Sequence, residues 1–79
     1  MNIKITIDLK AYRKGVFDIS VNSEQIIIEC LKIISESQNL SLNLLEINYC
    51  KSKREKKAVS VYSSFKESNI YTGDILEFI

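Results

Sequence analysis

The sequence predicts an α+β domain in which a mixed sheet of four or five strands packs on one helix, in the order β-β-α-β-β-(3-10 turn)-β. Three observations predict it. Apolar residues alternate with polar ones in two segments near the N-terminus. A single stretch beginning at Ile26 carries apolar residues at helical spacing. The alternation then resumes and runs into a closing apolar strand, "GDILEFI". The chain is 79 residues long, which fits one domain spanning residues 1–79.

The first strand is "IKITIDL", with Ile3, Ile5, Ile7 and Leu9 on one face and Lys4, Thr6 and Asp8 on the other. "KAYRKG" breaks the alternation, and Gly15 can supply a positive φ there. Phe17, Ile19 and Val21 then alternate with Asp18 and Ser20, so the chain opens on a β-hairpin. At "NSEQ" the period changes. Asn22 is expected as N-cap with Gln25 reaching back from the third helical position, and Glu24 suits the helix dipole. Ile26, Ile27, Cys30, Leu31, Ile33 and Ile34 form a stripe about 160° wide, with Ile28 outside it at the edge of the polar face. Asn39 is a suitable left-handed stop.

Beyond the helix, Leu45, Ile47 and Tyr49 alternate with Glu46, Asn48 and Cys50 as a third strand. "KSKREKK", Lys51 to Lys57, reads as a polar loop and "AVSVY" as a short strand. "SSFKESNI" suits one helical or 3-10 turn anchored by Phe65 and Ile70, and Gly73 turns the chain into its last strand. The first and last strands, both short and apolar, are expected to be the central parallel pair, with the intervening chain as their crossover.

Composition narrows the function. Charge is nearly balanced at +1, and both halves share it: five basic and five acidic residues in 1–40, six and five in 41–79. No run approaches a membrane span and the N-terminus does not read as a signal peptide, so a cytoplasmic protein without membrane insertion is expected. Histidine is absent, and the two cysteines, Cys30 and Cys50, lack metal-binding spacing; neither an enzyme nor a cofactor or metal site is expected. Cys30 falls on the apolar stripe. Cys50 is expected to face solvent beside the basic loop, which would lower its pKa.

The element order and the segment "SFKESNIYTGDILEFI" resemble ubiquitin and the β-grasp fold over essentially the whole chain. The resemblance puts Leu76 and Phe78 in the core with Ile75, Glu77 and Ile79 outward. It also assigns Ile3, Ile5, Phe17, Ile19, Val21, Ile27, Cys30, Ile34 and Ile47 to core positions. The opening "ITIDLKAY", "GVFDISV", the length and the ending "GDILEFI" are similar to the YukD/EsaB group, small ubiquitin-like proteins of Gram-positive type VII secretion systems. That similarity implies an accessory or regulatory subunit acting by protein docking. Its partner would be the machine's FtsK/SpoIIIE-type membrane ATPase or the membrane proteins associated with it. Self-association is permitted but not implied. Two departures from ubiquitin stand out: no Gly-Gly follows the last strand, so conjugation is not expected, and the centre of ubiquitin's apolar recognition patch falls on Asn48.

The candidate contact residues form three groups. Lys51, Lys53, Arg54, Lys56 and Lys57 stand in a seven-residue run with one acid, suited to an acidic partner or to blunting an edge strand. Ile28, Ile75 and Ile79 are outward apolar residues, a docking patch if grouped near Tyr49 or Tyr71. Lys4, Thr6 and Asp8 offer a polar strand face that the resemblance makes a partner surface. The competing functions are a β-grasp carrier or modifier, which requires the missing Gly-Gly, and a small nucleic-acid-binding protein using the basic run.

Overall fold

The apolar faces of the strands and the helix meet in one core of 18 buried residues, from Ile3 to Phe78. The computed structural model describes all residues, Met1–Ile79. Its elements are β1 (Asn2–Asp8), β2 (Val16–Asn22), α1 (Ile27–Ser37), β3 (Tyr49–Ser52), β4 (Lys57–Ser60) and β5 (Ile75–Glu77), with 3-10 turns at Lys10–Tyr12 and Leu44–Glu46. The five strands form one mixed sheet in the order β2-β1-β5-β3-β4. β1 and β5 are the expected parallel pair, registering Thr6 with Ile75 and Ile7 with Leu76. The other three pairings are antiparallel.

The opening hairpin follows the sequence pattern closely. Ile3, Ile5, Ile7 and Leu9 are all buried. Arg13 at φ 60° and Gly15 at φ 87° turn the chain between the strands. Phe17 and Ile19 are only half-buried, because β2 is an edge strand. Asp8, expected on the outer face, is 7% exposed. The 3-10 turn after β1 folds back over it: its Oδ1 accepts the Lys10 N–H at 3.0 Å and its Oδ2 lies 3.6 Å from Lys10 Nζ.

The helix begins later than its cap signal. Asn22 makes a local turn instead, accepting the Glu24 N–H on its side chain at 3.0 Å and the Gln25 N–H on its carbonyl at 3.0 Å. Ile26 then bridges to Ser64 as an isolated β pair. The first helical N–H groups are satisfied by the chain after β4: Ile27 donates to the Ser63 carbonyl at 3.0 Å and Ile28 to the Val61 carbonyl at 2.8 Å. The C-terminus ends as expected at Asn39, φ 57°. Leu40 N–H reaches Ser35 O and Asn39 N–H reaches Glu36 O, a Schellman closure.

A capping box does occur after β4, where the expected 3-10 segment is instead a hydrogen-bonded turn over residues 65–69. Ser64 N–H donates to Glu67 Oε1 at 2.9 Å, and Glu67 N–H donates to Ser64 Oγ at 3.0 Å. That turn closes through Asn69 at φ 58°, with Ile70 N–H on Phe65 O. Its anchors Phe65 and Ile70 are buried, as expected.

The third strand departs most from the sequence pattern. A 3-10 turn takes Leu44–Glu46, leaving Leu45 90% exposed. Ile47 and Cys50 both point into the core, three residues apart, and Tyr49 points out. The strand runs on to Ser52, so Lys51 lies on the sheet and the loop proper is Lys53–Lys56.

Candidate docking surfaces

Three shallow depressions sort the contact residues by face. The outer face of β1 and β2 carries one of about 440 Å³ bordered by Lys4, Thr6, Asp18 and Ser20, with Ile5 and Ile19 between them. Thr6 Oγ1 donates to Asp18 Oδ1 at 2.7 Å across the strand pair. Lys4 is exposed and Thr6 half-buried there, while Asp8 lies under the following turn.

The second depression, about 220 Å³, sits against β3 and β4 and is bordered by Tyr49, Lys51, Lys56, Lys57, Ala58 and Ile79. Strand alternation builds it: Lys51 registers with Ala58 and with Glu77, so these residues share the outer face. Tyr49 is 62% exposed and Ile79 76% exposed. β5 ends at Glu77, one residue earlier than Phe78, whose N–H bonds the Asp8 carbonyl at 3.0 Å. Leu76 and Phe78 are buried, and Ile75 is half-buried opposite Thr6.

A buried carboxylate holds the basic turn in place. Asp74, 1% exposed, accepts Ser52 Oγ at 2.6 Å on Oδ2 and the N–H groups of Arg54 and Ile75 on Oδ1 at 3.1 and 2.7 Å. Ser52 Oγ in turn accepts the Glu55 N–H at 3.2 Å. Arg54 Nη1 donates to the Thr72 carbonyl at 3.0 Å, and Lys53 Nζ lies 3.8 Å from Glu77 Oε2. Two of the five basic side chains are thus engaged within the protein.

The third depression, about 320 Å³, lies on the helix side, bordered by Ile28, Glu29, Lys32, Leu44, Leu45 and Tyr62. Ile28 therefore belongs to a different face from Ile75 and Ile79. Tyr71 lies apart again, beside Met1, Lys66 and Ile70. Asn48 precedes β3 and accepts the Tyr62 hydroxyl at 3.1 Å on its side chain, so it does not centre the outer face. Of the expected apolar grouping, Ile79 does lie beside Tyr49, whose outward phase was hidden by the break before β3; Ala58 joins the site through its register with Lys51.

Neither cysteine is a surface thiol. Cys50 is buried, and burial followed by the nearby Asp74 charge pushes its pKa up to about 12, opposite to the sequence expectation. Burial pushes Cys30 up to about 11. Glu67 is held below the ordinary carboxylate value by the Ser64 N–H and hydroxyl of its capping box. No group of three or more Cys, Asp or Glu side chains is arranged to hold a metal ion. No helix is long and apolar enough to cross a membrane.

No protein-family model matches the chain, and no curated protein matches it. Solved structures do. A protein designed de novo on the basis of ubiquitin superposes with TM-score 0.72 at 17% identity, covering 99% of this chain and 87% of the design. The C-terminal ubiquitin-like domain of mouse tubulin-specific chaperone e gives TM-score 0.71 at 10% identity, covering 99% of this chain and 84% of that one. At these identities the likeness establishes architecture: the chain has a ubiquitin-like β-grasp fold.

Proposed function

We propose that this chain is a non-catalytic docking module, a cytosolic accessory or regulatory subunit of a type VII secretion system. Its partner is the FtsK/SpoIIIE-type membrane ATPase of that machine or a membrane protein associated with it. The similarity of "ITIDLKAY", "GVFDISV" and "GDILEFI" to the YukD/EsaB group supports the secretion assignment. One observation carries the docking assignment: Lys51, Lys56 and Lys57 border the same outward depression as Tyr49 and Ile79. Residues scattered between positions 49 and 79 converge on this one depression, apolar in the middle and cationic at the rim, the layout of a protein contact site.

The test is direct binding between the purified chain and the detergent-solubilised ATPase, alone and with its associated membrane proteins. A saturable complex, weakened about ten-fold by Tyr49→Ala with Ile79→Ser, is expected. No complex with any of these components overturns the secretion assignment.

A further inference from the structure

We infer that the β3–β4 depression takes an acidic peptide segment of a partner protein, seating one large apolar side chain between Tyr49, Ala58 and Ile79 with flanking carboxylates on Lys51, Lys56 and Lys57. This rests on the reading of the chain as a docking module and names what docks. The argument is the division of labour among the five basic residues. Lys53 is paired with Glu77 and Arg54 is bonded to the Thr72 carbonyl; both serve the fold. Within this run, Lys51, Lys56 and Lys57 make no intramolecular ion pair, and all three border the depression.

The floor selects the rest of the ligand. Tyr49 and Ile79 expose large apolar surfaces beside a concavity, and covering them with a side chain removes that surface from water. Lysine ammoniums at the rim act as point charges that steer an acidic chain and fix its register. The acids nearby are Glu55 in the turn and Glu77, which registers with Lys51; Lys53 compensates Glu77 at 3.8 Å. The tip's one guanidinium, the group best suited to clasping phosphate, is turned to the Thr72 carbonyl, which disfavours nucleic acid. A flat anionic membrane surface has no side chain to place in a concave site.

The experiment titrates the full chain with the labelled peptide Asp-Glu-Asp-Trp-Glu-Asp-Glu by fluorescence anisotropy and maps amide shifts by NMR. Parallel arms use the same peptide with Trp replaced by Ser, a thymidine oligonucleotide, and vesicles of phosphatidylglycerol and phosphatidylcholine. Shifts confined to residues 49–58 and 77–79 are expected. Losses of about ten-fold are expected for the Trp-to-Ser peptide and, separately, for the Lys51→Glu, Lys56→Glu double variant. These lysines are exposed, so an unchanged melting temperature verifies that the variant is folded. Equal affinity for both peptides, shifts centred on β1–β2 or α1, or tighter binding to oligonucleotide or vesicles would overturn the inference. Peptide binding without ATPase binding leaves this chemistry standing and removes the secretion assignment. ATPase binding mapped to another face does the reverse.

Discussion

Asp74 is where single-residue chemistry governs most. Three donors converge on its side chain, two from the end of β3 and the basic turn and one from the neighbouring Ile75, and its own N–H and carbonyl bond Tyr71 O and Thr6 N–H. Asp74→Ala strands those donors in a buried place. The expected loss is about 3 kcal/mol in urea unfolding, with Asp74→Asn losing clearly less because it still accepts both N–H bonds. The two thiols yield a second prediction. With folded pKa values of about 11 and 12, Cys30 and Cys50 stay protonated near pH 8 and should react with a thiol reagent only after denaturation. Unfolding frees them to ionise near the ordinary thiol value of 9.0, so between about pH 9 and 12 the unfolded chain binds fewer protons than the folded one. Stability should therefore fall as pH rises through that window, and a Cys30→Ala, Cys50→Ala variant should show a flatter profile. Glu67 has the opposite sign: its pKa is lowered on folding, so its capping bonds support the fold at neutral pH and weaken as pH falls through the carboxylate range. The gap in melting temperature between wild type and Glu67→Gln should close on acidification.

At the scale of elements, the number, type and order of the strands and the helix were legible because each apolar face repeats with its own period. The phase within an element was legible only where nothing interrupts it. On α1 the buried apolar residues Ile27, Cys30, Leu31 and Ile34, with Ser35 buried at their edge, span about 100°. Ile28 and Ile33 both stand about 110° from its centre, on opposite flanks. Relative to those apolar residues their positions are equivalent, yet Ile28, on the flank of the buried Ser35, is half-buried beside Leu44 and Tyr62 while Ile33 is 57% exposed. What separates them is a loop from elsewhere in the chain, which periodicity does not encode. The same holds at β3, where the 3-10 turn resets the alternation and puts the small Cys50 and Ser52 inward. The helix start was misplaced for a related reason. Backbone carbonyls at positions 61 and 63 do what a capping side chain does elsewhere, so the sequence signal at Asn22 has no helix to cap. Ser64→Ala should cost about 1 kcal/mol and Gln25→Ala less than about 0.5 kcal/mol, by chemical denaturation.

For the molecule as a whole, the central pairing joins residues some seventy positions apart, Thr6 with Ile75 and Asp8 with Glu77. That long-range closure was readable because both segments are short, apolar and free of glycine and proline. The contact surfaces were less readable. The sequence named eleven residues, and the fold distributes them over an outer sheet face, a helix-side groove and, for Asp8, the space under a turn. A domain of this size has a total stability of about 4–10 kcal/mol. Phe78 is 1% exposed on the closing segment, and Phe78→Ala should cost about 3–5 kcal/mol, enough to leave a large unfolded fraction by circular dichroism at 37 °C.

The clamp at Asp74 has one more effect. Because the Lys53–Lys56 turn is anchored at Ser52, Arg54 and Glu55, its shape is settled when the chain folds, not when a visitor arrives. An incoming chain meets a stiff relief and loses only its own freedom on landing. Loosening the anchor with Ser52→Ala, which removes both the bond to Asp74 and the one from the Glu55 N–H, should therefore blunt recognition through an entropy penalty visible in calorimetry, with every lysine still in place.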